Sequence, residues 1–215
     1  MAHERRPEFV ARHPLHVTLR CAQGDVSLRR YHPLEVVRGA IRAGGHREDF
    51  RVVEFHLLSN HLHLIVEAAG AVALARGMQG LAVRLARGIN RALGRSGKLF
   101  VERYHARCLR SPREVRATLR YVLLNAHHHA AERGERRSWW ADPYSSGAWF
   151  DGWRHRLCPR EPWQRELLAK PRPTAAATVW LLTTGWRRWG PLWFDDLPGA
   201  AGPRRPAENR SNPFS

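Results

Sequence analysis

Two imidazoles separated by one apolar residue, His61-Leu62-His63, stand inside the run Asn60-His-Leu-His-Leu-Ile-Val66. Side chains on a β-strand alternate faces, so His61 and His63 point the same way, with Cβ atoms roughly 6.6 Å apart at ~3.3 Å rise per residue. That spacing lets both rings converge on one metal ion. Leu62, Leu64 and Val66 take the opposite face and can be buried in a core. The chemistry such a strand offers is coordination of a cation by neutral imidazole nitrogen, with the remaining positions open to a substrate oxygen.

The elements that must hold this strand can be read on either side of it. Arg51 to Leu58 is a second β-rich run, and Ser59-Asn60 alone separates the two, which suits a tight hairpin turn. In that register Leu58 lies across from His61 and His56 across from His63, with Glu54 next along, so His56 is a possible third imidazole. His16 to Arg20 is β-rich and follows Pro14. Pro33 to Arg42 carries Leu34, Val37 and Ile41 at helical spacing and stops at Gly44-Gly45. Leu74, Met78, Leu81, Leu85 and Ile89 trace the apolar stripe of a long amphipathic helix ending near Gly94. Lys98 to Leu109 reads as extended. Ser111-Pro112-Arg113-Glu114 is a capping box with proline at the first helical position, and Val115, Leu119, Val122, Leu123 and Ala126 form the buried stripe behind it. Tyr121, Asn125 and His128 follow at i, i+4 and i+7 on another ridge, placing a phenol, an amide and an imidazole together.

This order of elements predicts an α+β fold. The expected architecture is a ferredoxin-like (RRM-like) antiparallel sheet of four or five strands with helices packed over one face. All nine Trp fall after position 138. The chain therefore divides, as a sequence, into a main domain over 1–153 and a Trp-rich extension over 154–215. In that extension Trp180-Leu-Leu and Trp186-Arg-Arg-Trp189 predict one short helix, and Pro198 onward reads as disordered.

Charge narrows the class of partner. The 215 residues hold 36 Lys+Arg against 19 Asp+Glu, a net charge of +17, which points to a polyanion. Between Arg76 and Arg120 there are 12 basic residues and 2 acidic ones. Arg84, Arg87, Arg103 and Arg107 are candidates for phosphate contacts. Arginine outnumbers lysine 34 to 2, a ratio that coding bias explains as well as phosphate binding does. Cys21, Cys108 and Cys158 are odd in number and lack Cys-x-x-Cys spacing, which argues against a disulfide framework or a zinc ribbon. Neither a signal-peptide-like stretch nor a run near the ~20 apolar residues of a membrane span is present, so a cytoplasmic protein without membrane attachment is expected.

The ordered set of motifs resembles a known family. Asn60-His-Leu-His-Leu-Ile-Val66 looks like the His-hydrophobe-His signature of HUH single-strand endonucleases. A long helix with Asn90 near its end follows, then Gly97-Lys-Leu-Phe-Val-Glu-Arg-Tyr-His105, then the capped helix with Arg120-Tyr-Val-Leu-Leu-Asn125, then Tyr144-Ser-Ser. Over roughly residues 14–153 this resembles the REP-associated tyrosine transposases, relatives of single-tyrosine insertion-sequence transposases. The resemblance implies metal ligands at His61 and His63, a nucleophile at Tyr121, and Asn125 completing the metal site with Mg²⁺ or Mn²⁺. It also implies single-stranded DNA bearing a hairpin as substrate, a homodimer, and no small-molecule cofactor. One departure is Ala126 where these relatives usually have Pro. Ala126 precedes His127-His-His129, so Asn125, His128 and His56 all stand as candidates for the third ligand.

For that family the chemistry would be attack of the phenol on a phosphodiester. The products would be a 5′-phosphotyrosine and a free 3′-hydroxyl, with the ester energy retained for rejoining. A phenol ordinarily ionises near ~10, so cationic surroundings are needed. Tyr31, Tyr104 and Tyr144 are the rival tyrosines. Competing classes are a host-retained, non-catalytic binder of hairpin nucleic acid, a histidine-triad nucleotide hydrolase and a structural zinc protein. The hydrolase would need a third His where Ile65 stands, and the zinc protein would need Cys or His partners at finger spacing.

Overall fold

The computed structural model describes residues 10–22, 27–135 and 138–197. Its elements run β1 (Leu15–Arg20), α1 (Tyr31–Gly44), β2 (Phe50–Leu57), β3 (His61–Ala68), α2 (Ala71–Ala92), β4 (His105–Cys108) and α3 (Pro112–Glu132). Two short helices follow, α4 (Pro162–Ala169) and α5 (Trp180–Thr183), with 3₁₀ turns at Gly147–Trp149 and Gly185–Trp189. The four strands form one antiparallel sheet in the order β2-β3-β1-β4. With the βαββαβ connectivity, that order is the ferredoxin-like arrangement expected from the sequence.

The hairpin has the anticipated register. Leu57 pairs with Leu62 and His56 with His63, and the Leu58 N–H donates to the His61 carbonyl at 2.9 Å, leaving Ser59-Asn60 as the turn. A bulge between Val52 and Glu54 puts an extra residue, Val53, into β2. β1 lies on the other side of β3, with Thr18 opposite His63 and Arg20 opposite His61. Alternation then decides what each face carries. Val17, Leu19, Phe55, Leu57, Leu62, Leu64 and Val66 meet the stripes of α1 and α2, where Val37, Ile41, Met78, Leu81 and Leu85 are fully buried. Gly77 permits the close approach of α2, because a Cβ there would sit 2.3 Å from Cγ of Phe50.

The helices do not all lie on one face, as the sequence reading expected. α1 and α2 share a face, but α3 covers the opposite one. There Val115, Leu119, Val122 and Leu123 pack on Val53 and Ile65. The physical reason is that β2 and β3 are buried on both sides almost without interruption, and their second face carries Val53 and Ile65 among its polar side chains. A second layer must dry Ile65. The capping box sets where α3 starts, with Glu114 N–H donating to Ser111 Oγ at 3.2 Å and Ser111 N–H donating to Glu114 Oε2 at 3.3 Å.

Residues 154–197 share this second core. Leu181, Leu182, Trp186 and Leu192 join Phe150 against α3. Buried polar staples attach this segment and the turn at Ser146 to the sheet. Glu67 accepts from the backbone N–H groups of Thr178 (2.8 Å) and Val179 (2.9 Å), and Glu54 accepts from Ser146 Oγ and from Arg172 at 3.1 Å. The expected single helix over 180–189 is broken into α5 and a 3₁₀ turn. Gly185 lies at the break, directly under the Trp180 ring, where a Cβ would come within 2.8 Å. The stretch from Pro198 that reads as disordered lies outside the described residues. No helix among the described residues is long and apolar enough to cross a membrane.

Candidate active site

Between the α3 face of the sheet and α3 itself runs an open cleft of about 610 Å³. β3 contributes His61 and His63, β1 contributes His16, Thr18 and Arg20, β4 contributes His105 and Arg107, and α3 contributes Tyr121, Asn125 and His129. No carboxylate lines it, so the cleft holds positive charge and neutral imidazoles facing solvent.

The geometry centres on His63, which is 4% exposed. Its Nε2 stands 3.0 Å from His61 Nε2 and 3.3 Å from the Tyr121 hydroxyl. On the far side of the ring, Nδ1 is 3.0 Å from His16 Nε2 and 3.2 Å from Thr18 Oγ1. His61 is oriented by its neighbour, since Nδ1 lies 2.7 Å from the Asn60 side-chain oxygen. That oxygen can only accept, so the His61 ring proton sits on Nδ1 and the Nε2 lone pair points at His63. Burial is the main cause that holds His63 down to about 2 and His61 and His16 down to about 4, with neighbouring cationic groups adding to it. All three rings are therefore neutral near pH 7.

The Nε2 atoms of the two neutral rings are 3.0 Å apart, within hydrogen-bond distance. Asn125 is 3% exposed and lines the same cleft one turn beyond Tyr121. The other two candidates for a third ligand are directed elsewhere. His56 has its Nε2 on Asp142 at 2.8 Å, and His128 pairs with Glu132 at 3.3 Å without lining the cleft. Among the described residues, no three His, Cys, Asp or Glu side chains group as a metal-holding set. His61, His63 and Asn125, the residues expected to hold a metal, all line the cleft.

Of the four tyrosines, Tyr121 alone lines the cleft, and at 36% exposed it is open to a large substrate. Tyr31 is exposed at the start of α1, Tyr104 packs against the core of the other face, and Tyr144 lies under the Arg29 guanidinium.

No family model matches the chain, and no curated protein matches it. Among solved structures the chain is similar to one described as "Structure of the REP associates tyrosine transposase bound to a REP hairpin". The identity is 16% and the TM-score 0.45, over 62% of this chain and 75% of that one. A likeness at this level carries none of the site assignment, which rests on the side chains described above.

The structure divides the four candidate arginines. Arg107 is in the cleft and donates to Thr118 Oγ1 at 3.1 Å. Arg84 and Arg87 are on α2, across the sheet from the histidines, with the Arg84 guanidinium lying against the end of α1. Arg103 is exposed just before β4 and does not line the cleft. Arg20, which was not among the four, lines the cleft as Arg107 does. His16, Thr18, Arg20, His105 and His129 were missed. A signal existed for three of them, since His16, Thr18 and Arg20 alternate with Val17 and Leu19 on a strand. Which strand they would lie beside was not legible. On α3, the ridge steps by four residues through Tyr121, Asn125 and His129, so His129 rather than His128 enters the cleft.

Proposed function

We propose that this protein is a metal-dependent, single-strand DNA endonuclease and strand transferase that works through a covalent phosphotyrosine. The observation that carries the reading is the convergence of His61 Nε2, His63 Nε2 and the Tyr121 hydroxyl within 3.3 Å of one another's nearest partner, in a cleft free of carboxylates.

His61 and His63 would hold Mg²⁺ or Mn²⁺, with Asn125 as the amide donor. When bound, the cation would draw charge from a non-bridging phosphate oxygen. The chain's own residues account for the rest. Asn60 holds the His61 ring proton on Nδ1, and Thr18 and His16 face Nδ1 of His63, so both Nε2 lone pairs stay directed into the cleft. Arg20 and Arg107, which line the cleft, receive the phosphate backbone. The Tyr121 oxygen forms a bond to phosphorus as the bond to the 3′-oxygen breaks. The phenolic proton leaves to water in the open cleft, and the departing oxygen takes up a proton to give a 3′-hydroxyl. Reversal by another 3′-hydroxyl rejoins a strand without an external energy source. A strand bearing a hairpin is the substrate that the sequence resemblance suggests.

The test is incubation of the protein and Mn²⁺ or Mg²⁺ with a single-stranded hairpin oligonucleotide, followed by mass spectrometry of the adduct. A 5′-phosphate on Tyr121 is expected, and Tyr121→Phe should retain binding and lose the adduct. An adduct persisting in that variant would move the nucleophile. Binding with no cleavage under any metal would leave a hairpin-binding protein without catalysis.

A further inference from the structure

The Trp-rich extension has no role in the chemistry above, yet it leaves Trp163, Trp180 and Trp189 exposed to solvent. Trp186 is buried, at 1% exposed, whereas Trp180 and Trp189 on either side of it are 47% and 53% exposed. Arg188 lies over the Trp180 ring with Cζ 4.9 Å from the centroid. Next to it, Trp189, Arg188 and Arg113 line a separate depression of about 400 Å³ that no acidic side chain enters. Among the described residues neither Arg113 nor Arg188 makes an ion pair, so both guanidinium groups are available to an anion. The edge is also fixed in place. Arg116, one turn along α3 from Arg113, donates to the carbonyls of Gly190 (3.3 Å) and Pro191 (3.2 Å) and pairs with Asp196 at 2.8 Å.

This depression is aligned with the cleft. Arg113, Ala117, Tyr121, Asn125 and His129 occur at successive steps of four residues, which is one ridge of α3. Arg113 stands at the extension's depression and the other four line the catalytic cleft. The eight residues from Arg113 to Tyr121 span ~12 Å along the helix axis at 1.5 Å per residue. The Trp180 ring is covered by Gly185 and Arg188, but the exposed Trp189 indole next to guanidinium groups without an ion pair is the combination that binds single strands irrespective of sequence, by stacking on bases and attracting the backbone.

We infer that the Trp180–Arg188–Trp189 edge of the extension, together with Arg113, is a stacking platform for the unpaired nucleotides that flank the phosphate held at Tyr121. The platform rests on the proposed function for its occupant. It assigns Trp189 to a base face, Arg188 and Arg113 to backbone phosphates, and Arg116 to holding the edge against α3.

The experiment measures binding of the full chain to a short oligodeoxythymidylate that can fill only the histidine cleft, to a longer one that reaches past Arg113, and to a long strand with abasic sites in the flank. Trp189→Ala should weaken the long strand about tenfold, leave the short strand unchanged, and have little effect on the abasic strand. Arg188→Ala should weaken the long and the abasic strands alike and flatten their salt dependence by about one counterion. Equal affinity of Trp189→Ala and the parent protein for the long strand would overturn the platform. So would an equal loss on short and long strands, or a wild-type affinity that does not grow with strand length, which would leave the edge to a protein partner. Adduct formation at Tyr121, measured separately on the short strand, keeps the two readings apart. A normal adduct without length-dependent loss sinks the platform alone, and length-dependent loss without any adduct sinks the endonuclease alone.

Discussion

Replacing His16 by Phe and Thr18 by Val dissects how His63 is aimed. With a cation at Nε2, the single ring proton of neutral His63 is confined to Nδ1, where two acceptors wait: His16 Nε2 at 3.0 Å and Thr18 Oγ1 at 3.2 Å. One N–H needs only one acceptor, so either substitution alone leaves a partner in place. His16→Phe keeps a ring in the packing, 5.0 Å from the His63 centroid and 5.8 Å from that of Tyr121. A net hydrogen bond contributes about 0.5–1.5 kcal/mol, so each single variant should weaken Mn²⁺ binding by no more than about two- to tenfold. The double variant leaves a buried N–H without any acceptor, and loss of an orienting partner of this kind costs about 10–100-fold in metal affinity. Mn²⁺ affinity is read by calorimetry in the Tyr121→Phe background, where no turnover interferes. The signature is a double variant clearly worse than the product of the two singles. Strictly additive singles, or a double variant with undiminished affinity, would refute the idea that Nδ1 of His63 is held by either neighbour.

Two further outcomes are expected. In metal-free protein the imidazoles of His61 and His16 are lowered to about 4, and that of His63 further, against 6.5 when unfolded. Through these three rings the unfolded chain binds more protons between roughly pH 4 and 6.5, which outweighs the opposite contribution of buried Glu54, raised to about 7, so stability falls as pH drops through that window. Thermal melts in EDTA should show a midpoint that declines from pH 7 to pH 5, and His63→Gln should reduce the slope; an unchanged slope would count against the burial of that ring. Gly77→Ala should destabilise the fold by about 1–2 kcal/mol, because overpacking costs about 1–3 kcal/mol and only part is offset by helix propensity. For a chain of this size that is a fall of several degrees at about 2–4 °C per kcal/mol, with Mn²⁺ affinity unaffected because α2 lies across the sheet from the cleft. A rise in melting temperature would show that Phe50 yields easily.

Much of this molecule is written locally. The His61-Leu62-His63 alternation, the two-residue turn at Ser59-Asn60 and the Ser111–Glu114 box each depend on backbone geometry within a few residues. The structure carries all three with the predicted register. The stripe Leu74–Ile89 likewise needs nothing beyond a period of 3.6 to locate α2 and its buried side.

What tertiary structure alone decided is everything that depends on which strand lies beside which. His16, Thr18 and Arg20 form the wall of the cleft only because β1 inserts between β3 and β4, a pairing between segments more than forty residues apart. Arg84 and Arg87, close to the histidines in sequence, end up beyond the sheet because α2 crosses to its other face. His56 shares a face and a register with His63, yet its ring is turned aside by Asp142, far along the chain. Local spacing determines which way a side chain leaves its own strand or helix. The company it meets there is set by long-range packing, where burying Ile65 and Val53 under α3 brought a phenol over two imidazoles.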